Sequence, residues 1–246
     1  MPSVFWPQQA RLWVNSFVNF ILPPVCANCK KAGELLCGDC LSAIKWVEAP
    51  ICQCCGQPRQ YDGQPTADQE VVCADCQKRP FLLQQIRAAT LFTDPIPTFI
   101  HKLKYTGSFA LSHPLADLMI VAWEKWRVPV DLVIPIPLHR ERKQDRGYNQ
   151  SELLAEPFSR QYHIDFQPNA LHRTRHTAPQ VNLNAQQRHS NVMNAFETVT
   201  PTSVKGRQIL LIDDVCTTGA TLNAAAQALL AAGATAVSAY CLARAI

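Results

Sequence analysis

The sequence predicts an α/β protein with a mostly parallel, doubly wound sheet and a small cysteine-rich module ahead of it. Three observations lead there. Aliphatic runs that read as buried strands alternate with helical stretches from Ile86 onward. One such run, Ile209 to Ile212, passes through an acidic pair and a string of small residues straight into an alanine-rich helix. Nine of the eleven cysteines fall at or before Cys76, so the chain divides into a cysteine-rich part and an ordinary one. Its 246 residues suffice for one sizeable α/β core plus a small module. The net charge of +4 permits a phosphorylated ligand or nucleic acid and requires neither.

Arg11 to Leu22 reads as a short amphipathic segment offering Leu12, Trp13, Phe17, Phe20 and Ile21 for packing. Asn15, Ser16 and Asn19 interrupt its apolar run and Pro23-Pro24 ends it, which leaves it too short for a stable membrane span. It has no small-x-small cleavage site either, so no signal peptide is expected.

Eight of the first nine cysteines form four pairs, each with two residues between its members: Cys26/Cys29, Cys37/Cys40, Cys52/Cys55 and Cys73/Cys76. Two thiolates on one tight turn can face one metal, and two such turns complete a tetrahedral site. Pairing by nearness gives one four-cysteine site from Cys26, Cys29, Cys37 and Cys40, and a second from Cys52, Cys55, Cys73 and Cys76. Zn2+ is the expected ion, in a structural role, because no coordination position is left open. Four thiolates also suit an iron–sulfur cluster, and a disulfide scaffold or a pairing across the two groups stays open. Cys54 reads as a bystander. The polar stretch Arg59 to Glu70 reads as a surface loop.

In the remainder, Ile86 to Phe92 is the first predicted strand, and Pro95 and Pro97 open a helix that runs to Gly107. Lys102 and Lys104 on its last turn favour a helix C-terminus or reach a ligand phosphate. Leu115 to Trp126 is a second helix, with Trp123 and Trp126 facing the core. Asp131 to Leu138 starts as a buried strand that Pro135 and Pro137 stop. A basic loop from His139 to Arg146 follows, then a helix from Ser151. Between Phe166 and Phe196 there is no acidic residue, while Arg173, Arg175 and Arg188 occur there, so this reads as a loop that faces an anion. Ala236 to Leu242 is the last strand.

The stretch Ile209 to Thr221 carries the chemistry. After the buried strand come Asp213 and Asp214, then Thr217-Thr218-Gly219-Ala220-Thr221, then a helix from Leu222 to Ala232. A turn of small residues at a helix N-terminus presents N–H groups and a favourable dipole to a phosphate. The two carboxylates can accept hydrogen bonds from a vicinal diol. Phosphate at one end and hydroxyls at the other describe a ribose 5-phosphate.

On those residues the sequence resembles the type I phosphoribosyltransferases, which bind 5-phosphoribosyl 1-pyrophosphate (PRPP) as its Mg2+ complex. Leu210 to Thr221 follows their signature, with Cys216 where an aliphatic residue is usual. The resemblance implies that Asp213 and Asp214 are the catalytic acids and hold the ribose hydroxyls. It implies that Thr217, Thr218, Gly219, Ala220 and Thr221 hold the 5-phosphate, and that Arg140 and Arg146 contact the pyrophosphate. From Leu22 on, the chain also resembles the ComF family of competence and DNA-utilisation proteins. The carriers are Leu22-Pro-Pro-Val-Cys-Ala-Asn-Cys, Lys102-Leu-Lys-Tyr-Thr-Gly, Arg146-Gly-Tyr-Asn-Gln, the Gln180 to Arg188 stretch and the PRPP signature, in that order.

That family resemblance implies a double zinc ribbon, cytoplasmic localisation, and partners that include PRPP or a related nucleotide, single-stranded DNA and DNA-uptake proteins. The expected organisation is an N-terminal segment over 1–22, a double zinc-ribbon-like module over 23–80 and a phosphoribosyltransferase-like domain over 81–246. Three functional readings follow: a phosphoribosyltransferase with an unassigned acceptor, a catalytically silent PRPP or nucleotide sensor, and a zinc-ribbon adaptor that binds single-stranded DNA.

Overall fold

A computed structural model describes residues 23–59, 72–78, 81–174 and 195–246. The N-terminal amphipathic segment, most of the Arg59 to Glu70 loop and the Gln180 to Arg188 stretch lie outside these residues.

The cysteine-rich module is built from tight turns and two five-residue helices, α1 (Gly38–Ser42) and α2 (Ala74–Lys78). The main domain then runs β1 (Ile86–Leu91), α3 (Ile96–Tyr105), α4 (Ser112–Trp123), β2 (Leu132–Pro135), α5 (Arg140–Arg146), α6 (Gln150–Tyr162), β3 (Asp165–Phe166), β4 (Leu171–Arg173), β5 (Phe196–Thr198), α7 (Pro201–Val204), β6 (Gln208–Cys216), α8 (Ala220–Ala231) and β7 (Ala236–Arg244). The five strands β1-β7-β6-β2-β3, in that spatial order, form one sheet, and every pairing in it is parallel. β4 and β5 make a separate antiparallel ladder.

Parallel strands must be covered on both faces, and here they are. On one face, Leu210, Ile212, Tyr240 and Leu242 pack with Phe99 and Leu103 of α3, Leu115, Met119 and Trp123 of α4, and Leu154 and Phe158 of α6. On the other, Ile209, Leu211, Val237 and Ala239 pack with Leu222, Ala225 and Leu229 of α8. Trp123, Phe158 and Tyr240 meet ring to ring, with centroids 4.8 to 5.8 Å apart. Aromatic contacts of this kind add a modest amount to the area they bury.

The chain leaves β2 toward β3 on one side and leaves β6 toward β7 on the other. The reversal falls between β2 and β6, and clefts for ligands open at such points, beyond the strand C-termini. The cysteine-rich module lies along the edge strand β1. Trp46 bridges Thr90, Val47 N–H donates to Ala89 C=O at 3.0 Å, and Leu91 N–H donates to Lys45 C=O at 2.7 Å. This contact covers an edge that would otherwise be open to pairing with another chain.

Residues 140–146 depart from the expected loop by forming a helix. His139 caps it, with its Nδ1 accepting from Glu141 N–H at 3.4 Å, and Gly147 ends it in the left-handed region at φ 80°. Long charged side chains between those two caps are good helix formers.

Candidate functional site

The two cysteine groups assemble as nearest pairing predicts. Within Cys26, Cys29, Cys37 and Cys40, and again within Cys52, Cys55, Cys73 and Cys76, the four sulfurs lie within 4.8 Å of one another. Individual Sγ–Sγ distances are 3.6 Å for Cys26–Cys40, 3.5 Å for Cys29–Cys37 and 3.8 Å for Cys55–Cys73. A Zn–S bond of about 2.3 Å in a tetrahedron places sulfurs about 3.8 Å apart, so both groups fit the ion. Cys54 is in neither group. The electrostatics also favour a cation. Burial opposes ionisation of Cys52, yet the N–H groups of Cys55, Cys73 and Cys54 outweigh it and hold the thiol at about 6. Burial pushes the Cys76 thiol up, and its neighbours Cys73, Cys55 and Cys52 push it further.

The acidic pair sits near the C-terminal end of β6, beside the reversal point. Asp214 is buried, and its carboxylate forms an ion pair with Lys104 Nζ from α3. Its Oδ1 also accepts from Gln150 Nε2 at 3.3 Å. Asp213 Oδ1 accepts from Ser151 Oγ at 2.8 Å and from Asp214 N–H at 2.9 Å. Asp214 is thus buried among its partners, while Asp213 is half-buried with both bonds on Oδ1. Burial, and then the neighbouring Asp214 charge, raise Asp213 to about 7. Burial also opposes ionisation of Asp214, but the Lys104 charge overcomes it and holds Asp214 below the usual carboxylate range.

The run Arg146 to Ser151 supplies the partners. Gly147 turns the chain, Tyr148 OH donates to Leu103 C=O, and Asn149 caps α6 by accepting from Ser151 N–H at 3.1 Å while donating to Ile136 C=O at 3.0 Å. Gln150 and Ser151 are thereby aimed at the acidic pair. Nothing in their spacing announced this. The available signal was a polar run at a helix start, directly after a strand end at the reversal point.

After the pair the chain enters the 217–221 turn. Asp213, Val215, Cys216 and residues 217–222 enclose a small hollow of about 20 Å3. Gly219 is the N-cap of α8 at φ 77°, and no side-chain cap bond is made there. The left-handed φ favours glycine here, and a Cβ would lie 2.9 Å from Ile86 Cδ1 and 3.1 Å from Phe81 Cε1, so those side chains would have to shift to admit one. Cys216 does more than fill space, because its Sγ accepts from Arg244 Nη1 at 2.7 Å. The nearby Cys241 thiol, and then the Arg244 charge, prevail over burial and bring Cys216 down to about 7.

Arg140 and Arg146 stand at the two ends of α5, about 9 Å of helix rise apart. Arg140 lines a cavity of about 320 Å3 together with Lys143, Asn149, Glu152, His172 and Arg173. Arg146 Nη1 donates to Gln150 Oε1, and its guanidinium lies 5.2 Å from the Tyr105 ring centre. A second cavity, of about 680 Å3, is lined by His101, Lys102, Lys104, Tyr105, Val215 and Thr217, among others. Both lysines border this second cavity, and Lys104 is in addition paired with Asp214.

These features define a class: a phosphoribosyltransferase-type domain carrying a double zinc ribbon. Residues 17–77 match the double zinc ribbon domain and residues 157–246 match the phosphoribosyl transferase domain. The chain is similar to the DNA utilization protein YhgH of Escherichia coli (strain K12), at 33% identity over 91% of this chain and 98% of that protein. It is similar to Competence protein F of Haemophilus influenzae, at 31% identity over 94% of this chain and 99% of that one. It is similar to Competence protein ComFC of Bacillus subtilis, at 30% identity over 87% of this chain and 86% of that one. The chain belongs to the ComF family of competence and DNA-utilisation proteins. Among the described residues no helix is long and apolar enough to cross a membrane.

Proposed function

We propose that this protein binds PRPP with Mg2+ and transfers, or is built to transfer, its phosphoribosyl group in the handling of DNA or its nucleotides. One observation carries the reading. An acidic pair with fixed partners, Asp214 buried and Asp213 half-buried, stands just before a tight, glycine-dependent turn at a helix N-terminus, all at the reversal point of a parallel sheet.

In this reading Thr217 to Thr221 hold the 5-phosphate with N–H and hydroxyl donors. Asp213 and Asp214 accept hydrogen bonds from the ribose 2- and 3-hydroxyls. Ser151 and Gln150 keep the carboxylates in place before the ligand arrives. Lys104 keeps Asp214 ionised and so ready to accept. Arg140 and Arg146, from the β2 side, carry the pyrophosphate. Mg2+ supplies charge neutralisation on the leaving group when it is bound.

The ring carbon C1 loses its bond to pyrophosphate, which departs with the electron pair. The acceptor then forms its bond to C1. The protein's share is charge stabilisation and positioning rather than a covalent nucleophile. The link to DNA comes from the relatives, which carry the names DNA utilization protein and competence protein.

The test is pyrophosphate release from PRPP by the purified chain, with and without candidate acceptors, compared with the Asp213→Ala, Asp214→Ala double variant. Release that the double variant loses supports transfer. Tight PRPP binding without release, with every acceptor tried, supports the sensor reading instead.

A further inference from the structure

The second cysteine site lies against the 217–221 turn, and three contacts join them. The first runs through the cysteine turn itself. Gly56 N–H donates to Cys52 C=O at 2.9 Å and Cys52 N–H donates to Gln57 C=O at 2.9 Å, which fixes the Gln57 backbone. Gln57 Oε1 then accepts from Arg244 Nη2 at 2.8 Å. The buried Arg244 donates through Nη1 to Cys216 Sγ, Cys216 C=O and Thr217 C=O. The second contact is Phe81, which packs on the Cys52, Cys55 and Cys73 cluster and fills the space beside Gly219, 3.1 Å from where a Cβ on that glycine would stand. The third is Leu82 N–H, which donates to Asn223 Oδ1 on the first turn of α8 at 2.8 Å. The start of the turn and its glycine are tied to one metal-binding cluster, and the helix after it is tied to Leu82, the chain neighbour of Phe81. The first cysteine site packs into the core on the other face of the sheet instead.

We propose that the second site braces the phosphate turn, with Gln57 and Arg244 as positioning residues. Zinc on Cys52, Cys55, Cys73 and Cys76 and a phosphate at 217–221 then strengthen each other's binding. The inference rests on the reading of that turn as a phosphate site. Its physical basis is reciprocity: if the ordered cysteine turn holds the loop in its binding shape, the bound ligand holds the cysteine turn by the same factor.

The test uses the full chain loaded with two zinc ions. Magnesium–PRPP is titrated calorimetrically into wild type, Gln57→Leu and Gln57→Glu, with zinc content measured for each. Gln57→Leu, which keeps both zinc ions but offers Arg244 no acceptor, is expected to bind about ten-fold more weakly, within the usual range for coupled sites. Gln57→Glu keeps an acceptor and is expected to restore the affinity, which a general packing defect would not do. In the reciprocal arm, saturating magnesium–PRPP is expected to make one of the two zinc ions about ten-fold harder for a chromogenic chelator to withdraw from wild type. The other zinc is unchanged, and Gln57→Leu shows no such protection. Equal affinity in wild type and Gln57→Leu, with zinc withdrawal indifferent to the ligand, overturns the brace alone. No binding to zinc-loaded wild type overturns the phosphate reading and the brace with it.

Discussion

Replacing Asp213 with asparagine should make the unliganded protein more stable while removing its ligand binding. The side chain of Asp213 is held by two donors, Ser151 Oγ and Asp214 N–H, both on Oδ1. Asparagine keeps that oxygen and both bonds. What it removes is a carboxylate that burial and the Asp214 charge raise to about 7, against about 3.9 for a free aspartate. Below about pH 4 the group is protonated in both folded and unfolded chains, and it contributes nothing. Between about 4 and 7 the folded chain holds a proton that the unfolded chain has lost, so stability falls as pH rises, by up to about 1.4 kcal/mol per unit. Above about pH 7 the penalty is complete.

The full difference is on the order of 4 kcal/mol, and sharing of charge with Asp214 and Lys104 brings the expected gain to about 2 kcal/mol at pH 8. Urea denaturation of both chains at pH 5, 6, 7 and 8 measures it. The gain of Asp213→Asn should be small at pH 5 and grow toward pH 8. A constant difference across that range, or an asparagine variant that is less stable at pH 8, would refute the reasoning.

Three other outcomes follow from the same geometry. Lys104→Met leaves Asp214 buried without its cation and should cost about 3 kcal/mol at pH 8. That cost should shrink as pH falls toward 4, where protonation of Asp214 removes the unpaired charge, and thermal melts over that range check it. Gly219→Ala forces φ 77° on an alanine and drives a Cβ toward Ile86, so it should destabilise by about 2 kcal/mol and weaken PRPP binding. Metal analysis should find two zinc ions per chain, with Cys29→Ala and Cys76→Ala each losing one. Retention of both ions by either variant would contradict the assignment of four thiolates to each site.

Much of the fold was legible because it is written in short-range pattern. Ile209 to Ile212 reads as a strand buried on both faces, and all four are buried. The cysteine spacing is local too, and the two groups close as nearest pairs. What was not legible depends on contacts distant in sequence. Lys104 finds Asp214 across 110 positions, and only the packing of α3 over the strand ends reveals it. Gln150 and Ser151 look like ordinary residues opening a helix until the reversal between β2 and β6 brings them to the acidic pair. Cys216 reads as a small hydrophobe, and Arg244 at the far end of β7 makes it a hydrogen-bond acceptor. The basic stretch after His139 looked like a loop because its charges dominate, while its two caps lie at its margins.

The central claim is that the Asp213–Asp214 pair and the turn after it hold an activated ribose phosphate. Calorimetric titration of magnesium–PRPP into the zinc-loaded chain addresses it without assuming any acceptor. Saturable one-to-one binding that disappears in the Asp213→Asn, Asp214→Asn variant is the predicted result. A flat titration of well-folded wild type, or undiminished binding by that variant, would contradict it.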